Sequence, residues 1–274
     1  MSEHMALENL TVLDLTRVLA GPFCTMMLAD MGANVIKIEV PKGGDDTRSY
    51  PPFRAKNLNG ERESVYFANI NRNKKGITLN LKAPEGKEIF KELVKKADIV
   101  VENYRPGVMD KLGLGYDVLK EINPRIIYAA VSGFGCYGPY HLRPGYDILA
   151  QAMGGMMSIT GSKGGEPTRA GSALGDILGG LHVTIGILAA VNARTITGKG
   201  QRVDVSLMDS MIAATENTAL KYIETGNIPA PMGNRYAAVP PTTASPARAA
   251  RSSLPPETRS CTKSSAMRCW NART

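Results

Sequence analysis

Short apolar strands and helices alternate along the first half of the chain, and this alternation limits the fold more than any other feature. The run "TVLDL" at 11–15 predicts a strand, "FCTMMLADM" a helix and "NVIKIEV" the next strand. Two strands joined by a helix are typical of a parallel sheet, because parallel neighbours need a crossover connection. Strands follow in "GITLNL", "DIVVEN" and "RIIYAAVSGF". The pattern runs to about residue 131 and predicts a doubly wound, Rossmann-like α/β domain.

More helices are predicted after this region. "YDILAQAMGGMM" is one, and "DILGGLHVTIGILAAVNA" is a second that is apolar on all sides, so we expect it to be buried. The strand "QRVDVSL" and the helix "MDSMIAATENTALKYIETG", which ends at Gly226, complete the pattern. We therefore expect a large domain over residues 1–225 and the start of a linker over residues 226–236.

The last segment differs in composition from the rest. Residues 237–274 contain five prolines and no apolar periodicity. Such a segment buries too little apolar surface to offset the entropy of ordering, so we expect it to be disordered and trimmed by limited proteolysis. Reading its degenerate codons in a shifted frame yields more apolar strings. We therefore expect a frameshift near Tyr236, which would make residues 237–274 an out-of-frame tail.

The composition excludes several classes of protein. With 43% apolar and 21% charged residues, the chain is globular, and no apolar run reaches the roughly 18 residues of a membrane span. The N-terminus has no signal core, so we expect a cytoplasmic protein that binds no membrane. Four cysteines without a CxxC pair and three histidines argue against a metal site. Of the net charge of +8, +5 lies after Tyr236, which argues against a nucleic-acid-binding face.

Asp176 stands out because it is the single acidic residue of a long apolar segment. An aspartate at a helix start is a favoured N-cap, and that role accounts for most such residues. A carboxylate beside a buried helix is also suited to nucleophilic catalysis. We expect Gly179 and Gly180 to open room beside the carboxylate one turn later. Cap and nucleophile both remain open from the spacing alone.

The loop "LTRVLAGP" lies between a strand and a helix N-terminus, a position suited to phosphate. It has one glycine, so the GxGxxG fingerprint of dinucleotide-binding folds is absent. Cations follow several predicted strands, where ligands of open α/β sheets bind. Taken singly, each is an ordinary surface charge. These cations are Arg17, Lys42, Lys74, Lys75, Lys82 and Arg105.

Five segments together resemble the class III CoA-transferases. They are "VLDLTRVLAGPFCTMMLADMGANVIKIEVPKGGDDTR", "NRNKKGITLNLKAPEGKEIF", "ADIVVENYRPGVMDKLGLGYDVL", "VSGFGCYGPYHLRPGYDILAQAMGG" and "GDILGGLHVTIGILAA". The resemblance runs from about Leu7 to Tyr236. It implies transfer of coenzyme A (CoA) from an acyl-CoA donor to a small carboxylic acid, without ATP or metal. It also implies a homodimer of interlocked chains and a small domain, which we expect the frameshift to remove.

The resemblance also implies the site residues. Asp176 matches the aspartate of the family's "GD" motif, the nucleophile that forms an aspartyl-CoA intermediate. Cations can pair with the CoA phosphates, and aromatic faces can stack on adenine or line the thioester channel. The segments that contact CoA in the family correspond here to Leu19, Ala20, Leu79, Lys82, Asn103, Tyr104, Arg105, Lys111, Ser132 and Phe134.

Two other functions stay open. The related α-methylacyl-CoA racemases use a histidine in a "GHD" motif, where this chain has Tyr146 before Asp147. Because the ordinary pKa of tyrosine is near 10, tyrosine is a poor exchange base at neutral pH, which favours the transferase. The third reading is a catalytically inactive, truncated protein that binds CoA or forms oligomers. His182, inside the apolar helix, is interpreted as a packed core residue.

Overall fold

A computed structural model describes residues 4–54 and 62–234. The predicted tail 237–274 and the end of the predicted linker lie outside these described residues. The strands are β1 (Thr11–Asp14), β2 (Asn34–Glu39), β3 (Phe53–Arg54), β4 (Glu63–Ser64), β5 (Lys75–Thr78), β6 (Ile99–Glu102), β7 (Ile127–Ser132) and β8 (Arg202–Ser206). The helices are α1 (Ala20–Asp30), α2 (Val65–Ile70), α3 (Pro84–Val94), α4 (Val108–Leu112), α5 (Tyr116–Ile122), α6 (Asp147–Met153), α7 (Met156–Ile159), α8 (Leu174–Thr197), α9 (Leu207–Ala214) and α10 (Asn217–Thr225).

Six strands form one parallel sheet in the order β5-β2-β1-β6-β7-β8. Counted along the chain within this sheet, the order is 3-2-1-4-5-6, which is the doubly wound arrangement predicted from the alternation. The order reverses between β1 and β6. In doubly wound sheets the ligand crevice lies at such a reversal, at the carboxyl ends of the strands. Strands β3 and β4 form a separate antiparallel pair.

The sheet is covered on both faces. Cys24 and Leu28 of α1 and Val183 and Ile187 of α8 are buried against one face. On the other face, α3, α5 and the strands share a second apolar cluster, in which Phe90 is fully buried. Helix α3 begins with proline at its first turn and presents Phe90 and Val94 one turn apart, so both side chains pack into this cluster.

Helix α8 differs from the prediction in its burial. Val183 and Ile187 are fully buried, but Ile185 is 62% exposed and Ile196 is 81% exposed. The helix is therefore buried on one side only, because the sheet and α1 contact just that side. By length and composition α8 is also the one helix in the described ranges that could cross a membrane, contrary to our count of apolar runs. Core helices that are mostly buried meet the same criterion.

Two predicted helices are each divided in two. The segment 146–157 forms α6 and α7, separated at Gly155, whose φ of 85° is left-handed. The segment 208–226 forms α9 and α10, separated at Glu216, whose φ is 56°. A left-handed residue interrupts a right-handed helix, and the apolar spacing on either side contains no trace of that break.

Candidate active site

A cleft of about 850 Å³ opens at the carboxyl ends of the central strands. Its walls are the segments after β1, β2, β5, β6 and β7, together with the N-terminal end of α8. The cleft is therefore at the crevice that the reversal of strand order creates. Its volume lies in the range of small-molecule and cofactor sites.

The structure brings most of the predicted site residues together. Asp176 lines the cleft, and so do Leu19, Ala20, Leu79, Lys82, Asn103, Tyr104, Arg105 and Ser132. Lys111 and Phe134 do not line it. Lys111 lies on α4, whose Val108 and Leu112 face the cleft instead. The ring of Phe134 packs edge-to-face against Tyr140, with centroids 5.7 Å apart. For these two residues the structure provides no contact with the cleft.

Asn103 joins the loops after β1 and β6. Its side-chain oxygen accepts a hydrogen bond from the Arg17 backbone N–H at 2.8 Å, and its amide donates to the Arg17 carbonyl at 2.7 Å. The next residue, Val18, has a φ of 66°, a strained conformation for a β-branched side chain. Its N–H donates to Asp45 at 3.2 Å. Hydrogen bonds to Asn103 on one side and to Asp45 on the other therefore fix the loop that carries Leu19.

A network of buried charges lies beneath this loop. Lys74 pairs with Asp14 at 3.1 Å, and Lys37 pairs with Asp45 at 3.0 Å; all four side chains are almost inaccessible. Lys37 also donates to the Thr16 carbonyl at 2.8 Å. Burial alone would raise the pKa of Asp14, but the two lysines and two threonine hydrogen bonds hold it below its ordinary value.

This network corrects the interpretation of the cations. Lys74 is neither a surface charge nor a phosphate ligand, because Asp14 holds it inside the fold. Arg17 pairs with Asp46 at 2.5 Å, and Lys75 donates to Asn34 at 2.7 Å. The side chains of Lys82 and Arg105 line the cleft without an ion-pair partner in the part of the chain that the structure describes. These two cations are free to meet an anionic ligand.

Asp176 is in the first turn of α8 but does not cap it. The N-cap position is Ala173, and no side chain caps the helix there. The N–H of Gly175 donates to the carboxylate of Asp147 at 2.8 Å instead. The cap interpretation of Asp176 is therefore wrong, because the helix begins two residues before it and another carboxylate serves the exposed N–H.

The side chain of Asp176 is half-buried at the cleft and has no partner in the described ranges. No residue within 4–54 or 62–234 donates a hydrogen bond to it, and no cation pairs with it. Burial raises the pKa of Asp176 to about 7, and the negative charge of Asp147 adds to the rise. A helix N-terminus favours a nearby negative charge, but desolvation outweighs that effect at Asp176. At neutral pH this group exists in both protonation states.

Few backbone donors remain at this end of α8 to hold an oxyanion. The N–H of Gly175 is taken by Asp147, and that of Ile177 donates to the Ala173 carbonyl at 3.0 Å. Ser132 is a further candidate donor beside the cleft. Its hydroxyl oxygen is buried and has no partner among the residues described. A buried hydroxyl without a partner is costly, so a ligand that accepts from Ser132 would bind favourably here.

The glycines of α8 do not open space. A Cβ atom on Gly179 would lie 2.4 Å from a methyl carbon of Leu207, and one on Gly180 would lie 2.7 Å from the Ala20 carbonyl oxygen. The expected room beside the carboxylate is therefore filled by neighbouring elements. What these glycines allow is close approach of α8 to α1 and α9, which brings Asp176 to the cleft.

Sequence reasoning missed several cleft residues, among them Arg143 and Pro144. Arg143 stacks on the ring of Tyr140, with its guanidinium 4.3 Å from the centroid. The sequence did contain a signal for Arg143. The motif "RPG" occurs twice, at 105–107 and at 143–145, and both copies contribute to the cleft. His182 is half-buried and contacts the Ser210 hydroxyl at 2.9 Å, so it is only partly a core residue. No metal-binding cluster occurs among the residues searched, which are those described.

Known proteins share both the sequence and the fold. The chain is 48% identical over 230 residues to acetyl-CoA:oxalate CoA-transferase of Acetobacter aceti, covering 84% of this chain and 58% of that protein. It is 46% identical over 224 residues to human succinyl-CoA:glutarate CoA-transferase, covering 81% and 50%. A crystal structure of a CAIB/BAIF family protein from Brucella suis matches with a TM-score of 0.83 and 43% identity, covering 88% of this chain and 63% of that one.

The chain spans half to three fifths of the length of these two curated relatives. Residues 7–251 match the family model described as CoA-transferase family III. The match starts at Leu7, as the resemblance predicted, and ends fifteen residues beyond Tyr236. A family match of this length, together with relatives that are nearly half identical, shows that the chain belongs to CoA-transferase family III.

Proposed function

We propose that this protein transfers CoA from an acyl-CoA donor to a carboxylic acid, with Asp176 as the nucleophile. One observation carries the proposal: Asp176 is a half-buried carboxylate that lines a cleft at the switch point of the sheet and has no partner among the described residues. A buried carboxylate in a structural role is normally paired or hydrogen-bonded. A group left unpaired in a cleft, with its pKa near neutrality, is typical of a catalytic residue.

The reaction conserves the energy of the thioester through covalent exchange. The Asp176 carboxylate attacks the thioester carbonyl, which forms a mixed anhydride and releases the CoA thiolate. The thiolate then attacks the aspartyl carbonyl, so that the donor acid leaves and an aspartyl-CoA thioester forms. The acceptor carboxylate attacks this thioester and again releases the thiolate. Attack of the thiolate on the acceptor carbonyl gives the new acyl-CoA and regenerates Asp176.

The surrounding residues supply binding rather than chemistry. Arg105 and Lys82 would pair with phosphates of CoA, and the apolar residues Leu19, Leu79 and Leu112 line the same cleft. The Ser132 hydroxyl is available to donate to a carbonyl or carboxylate oxygen. The curated relatives named above have names that pair CoA thioesters with oxalate or glutarate, which supports a small dicarboxylic acid as the acceptor.

We propose in addition that the protein works as a homodimer in the cytoplasm. Apolar side chains of α8 and α10 support the dimer, because Ile196 is 81% exposed and Ile223 is 70% exposed. Exposed apolar surface of this kind marks protein interfaces. Light scattering at several concentrations tests this proposal. A mass of about 29 kDa at every concentration would contradict it.

Trapping the covalent intermediate tests the transferase. The chain is incubated with an acyl-CoA, treated with hydroxylamine and digested for mass spectrometry. We expect a hydroxamate on Asp176, and we expect Asp176→Asn to form none and to lose transfer by several orders of magnitude, because an amide cannot form the anhydride. Asp147→Asn is the matched control, since it removes the neighbouring carboxylate and leaves the nucleophile.

Four results would overturn the proposal. One is transfer by Asp176→Asn at a near wild-type rate, and another is a label on a different residue. Exchange of the α-proton of the acyl group without transfer would favour the racemase. Binding of CoA without either reaction would favour a protein that binds CoA and does not catalyse.

A further inference from the structure

Glu102 is a buried carboxylate that the transfer chemistry does not use. It is the last residue of β6, is 6% exposed, and directly precedes three residues of the cleft, Asn103, Tyr104 and Arg105. We propose that Glu102 is a positioning residue that holds the segment 103–105 in the conformation that binds CoA. The inference rests on the proposed function of the cleft and concerns binding, not the transfer step.

Two hydrogen bonds define this role. One carboxylate oxygen of Glu102 accepts from the backbone N–H of Tyr104 at 2.7 Å, and the other accepts from the Tyr128 hydroxyl at 3.1 Å. Tyr128 is 3% exposed and belongs to the neighbouring strand β7, so it fixes the carboxylate to the sheet. The carboxylate in turn fixes the backbone of the loop at Tyr104.

The effect of Glu102 extends across the cleft. Asn103, between Glu102 and Tyr104, exchanges two hydrogen bonds with the backbone of Arg17 in the loop after β1. The two loops therefore form one wall, and their relative position depends on the turn at 102–104. A shift of the Tyr104 backbone would move Arg105, which carries a cation free to bind phosphate, and would strain the contact with Arg17.

The charges around Glu102 come from several elements. Tyr104 of the loop and Tyr128 of β7 donate to it, while Arg202 and Asp204 of β8 act on it through their charges. Asp110 of α4 and Tyr116 of α5 lie behind Tyr128. Burial raises the pKa of Glu102 to about 7 against the two hydrogen bonds and Arg202, and Asp204 adds to the rise. The carboxylate therefore changes charge around neutral pH.

A measurable consequence follows from that change of charge. A hydrogen bond to an ionised acceptor is roughly twice as strong as one to a neutral acceptor. Above pH 7, ionised Glu102 holds the Tyr104 N–H more firmly than the protonated form does below it. We expect CoA affinity to increase about fivefold from pH 6 to pH 8 for this reason, since the loop is then held in its binding conformation more of the time.

Two other groups titrate in the same range and must be removed from the measurement. The 3′-phosphate of CoA is a monoester with a second pKa of about 6, and Asp176 lines the cleft. The probe is therefore 3′-dephospho-CoA, and the starting protein is Asp176→Asn. Calorimetry at pH 6, 7 and 8 compares this protein with the double variant that adds Glu102→Gln, which keeps the shape and removes the charge.

We expect the starting protein to bind about fivefold more tightly at pH 8 than at pH 6, and the double variant to bind weakly at both. The control is Asn123→Ala, because its amide donates to the carbonyls of Val94 and Ala97 and supports the fold only. Asn123→Ala should lower stability and keep the pH dependence of binding. This control separates positioning of the loop from general destabilisation.

A second variant keeps the inference testable if Glu102→Gln does not fold. Tyr128→Phe removes one donor to the carboxylate and keeps the ring, so the midpoint of the pH dependence should move to higher pH. Binding that is tight and equally pH-dependent in Glu102→Gln, or an unmoved midpoint in Tyr128→Phe, overturns the role of Glu102 and leaves the proposed function intact. Absence of binding in the starting protein overturns both.

Discussion

Asp14 and Asp176 are aspartates near the carboxyl edge of one sheet, the first fully buried and the second half-buried, and their environments oppose each other. Asp14 contacts Lys74, Thr16 and Thr25, and its pKa lies below the ordinary value. Asp176 has no partner among the residues that the structure describes, and burial raises its pKa to about 7. Desolvation acts on both carboxylates in the same direction, so the difference comes from the neighbours.

The comparison separates a structural carboxylate from a reactive one. Lone pairs that are occupied by lysine and threonine donors are unavailable for attack on a carbonyl. A carboxylate that lacks donors keeps its lone pairs and is destabilised in the ionised form, which favours its reaction with an electrophile. Partners in the folded state therefore distinguish the two roles better than burial does.

The largest effect on stability is expected at Asp14. Asp14→Asn leaves the buried ammonium of Lys74 without its counter-charge, and breaking a buried ion pair from one side costs about 3–5 kcal/mol. Urea unfolding at pH 8 measures the change. Asp176→Asn is the matched variant, and it should leave the free energy of unfolding unchanged or increase it, because it removes a charge that folding must desolvate. Equal losses in the two variants would contradict the comparison.

Asp14 and Asp176 should make contributions to the free energy of unfolding that change with pH in opposite directions. Asp176 has a folded pKa above its unfolded value of about 4, so the folded state binds more protons between pH 4 and 7, and its contribution to stability falls as pH rises through that window. The lowered pKa of Asp14 has the reverse effect: its contribution is present above pH 4 and is lost on acidification. Unfolding measured from pH 4 to 8 should show a smaller decline in Asp176→Asn than in the wild type.

The same ionisation should set the rate of acylation. Only the carboxylate form of Asp176 attacks a thioester, so the single-turnover rate should fall roughly tenfold from pH 6 to pH 5 and level off above pH 7. Rapid quench with an acyl-CoA donor measures this rate. A rate that stays constant down to pH 5 would mean that Asp176 is ionised throughout and that its environment resembles that of Asp14.

Much of the fold could be predicted because it depends on local patterns. The alternation of apolar runs predicted the doubly wound parallel sheet, and Asp176 stood out as the single acidic residue of an apolar segment. The contrast between the two aspartates could not be predicted, because Lys74 lies sixty residues from Asp14 and is brought to it only by the packed sheet. The expectation that Gly179 and Gly180 leave open space was wrong for a similar reason. Their spacing in the sequence does not reveal that Leu207 and Ala20 fill the space beside them.

The cations of the cleft extend the comparison to positive charge. Arg105 has no carboxylate partner in the described ranges, whereas Lys74 is paired. Arg105→Ala should weaken CoA binding by about 1–2 kcal/mol, the loss expected for one charge-assisted hydrogen bond, and should leave stability unchanged. Calorimetry checks the affinity. Lys111→Ala is the control, and because Lys111 lies outside the cleft, it should bind CoA as the wild type does.

The smallest effect concerns Asp147, whose charge adds to the raised pKa of Asp176 but ranks after burial. Asp147→Asn removes that charge and keeps an oxygen that can accept from the Gly175 N–H, so the start of α8 should stay in place. The pKa of Asp176 should then fall by less than about one unit, because desolvation remains. The midpoint of the acylation rate, or of a carbon-13 titration of the labelled carboxyl, measures the shift. A fall of several units would make the neighbouring charge the main cause and burial a minor one. If the midpoint does not move, the charge of Asp147 has no effect on the pKa of Asp176. The difference in pKa between Asp176 and Asp14 would then come from burial together with the lack of hydrogen-bond donors.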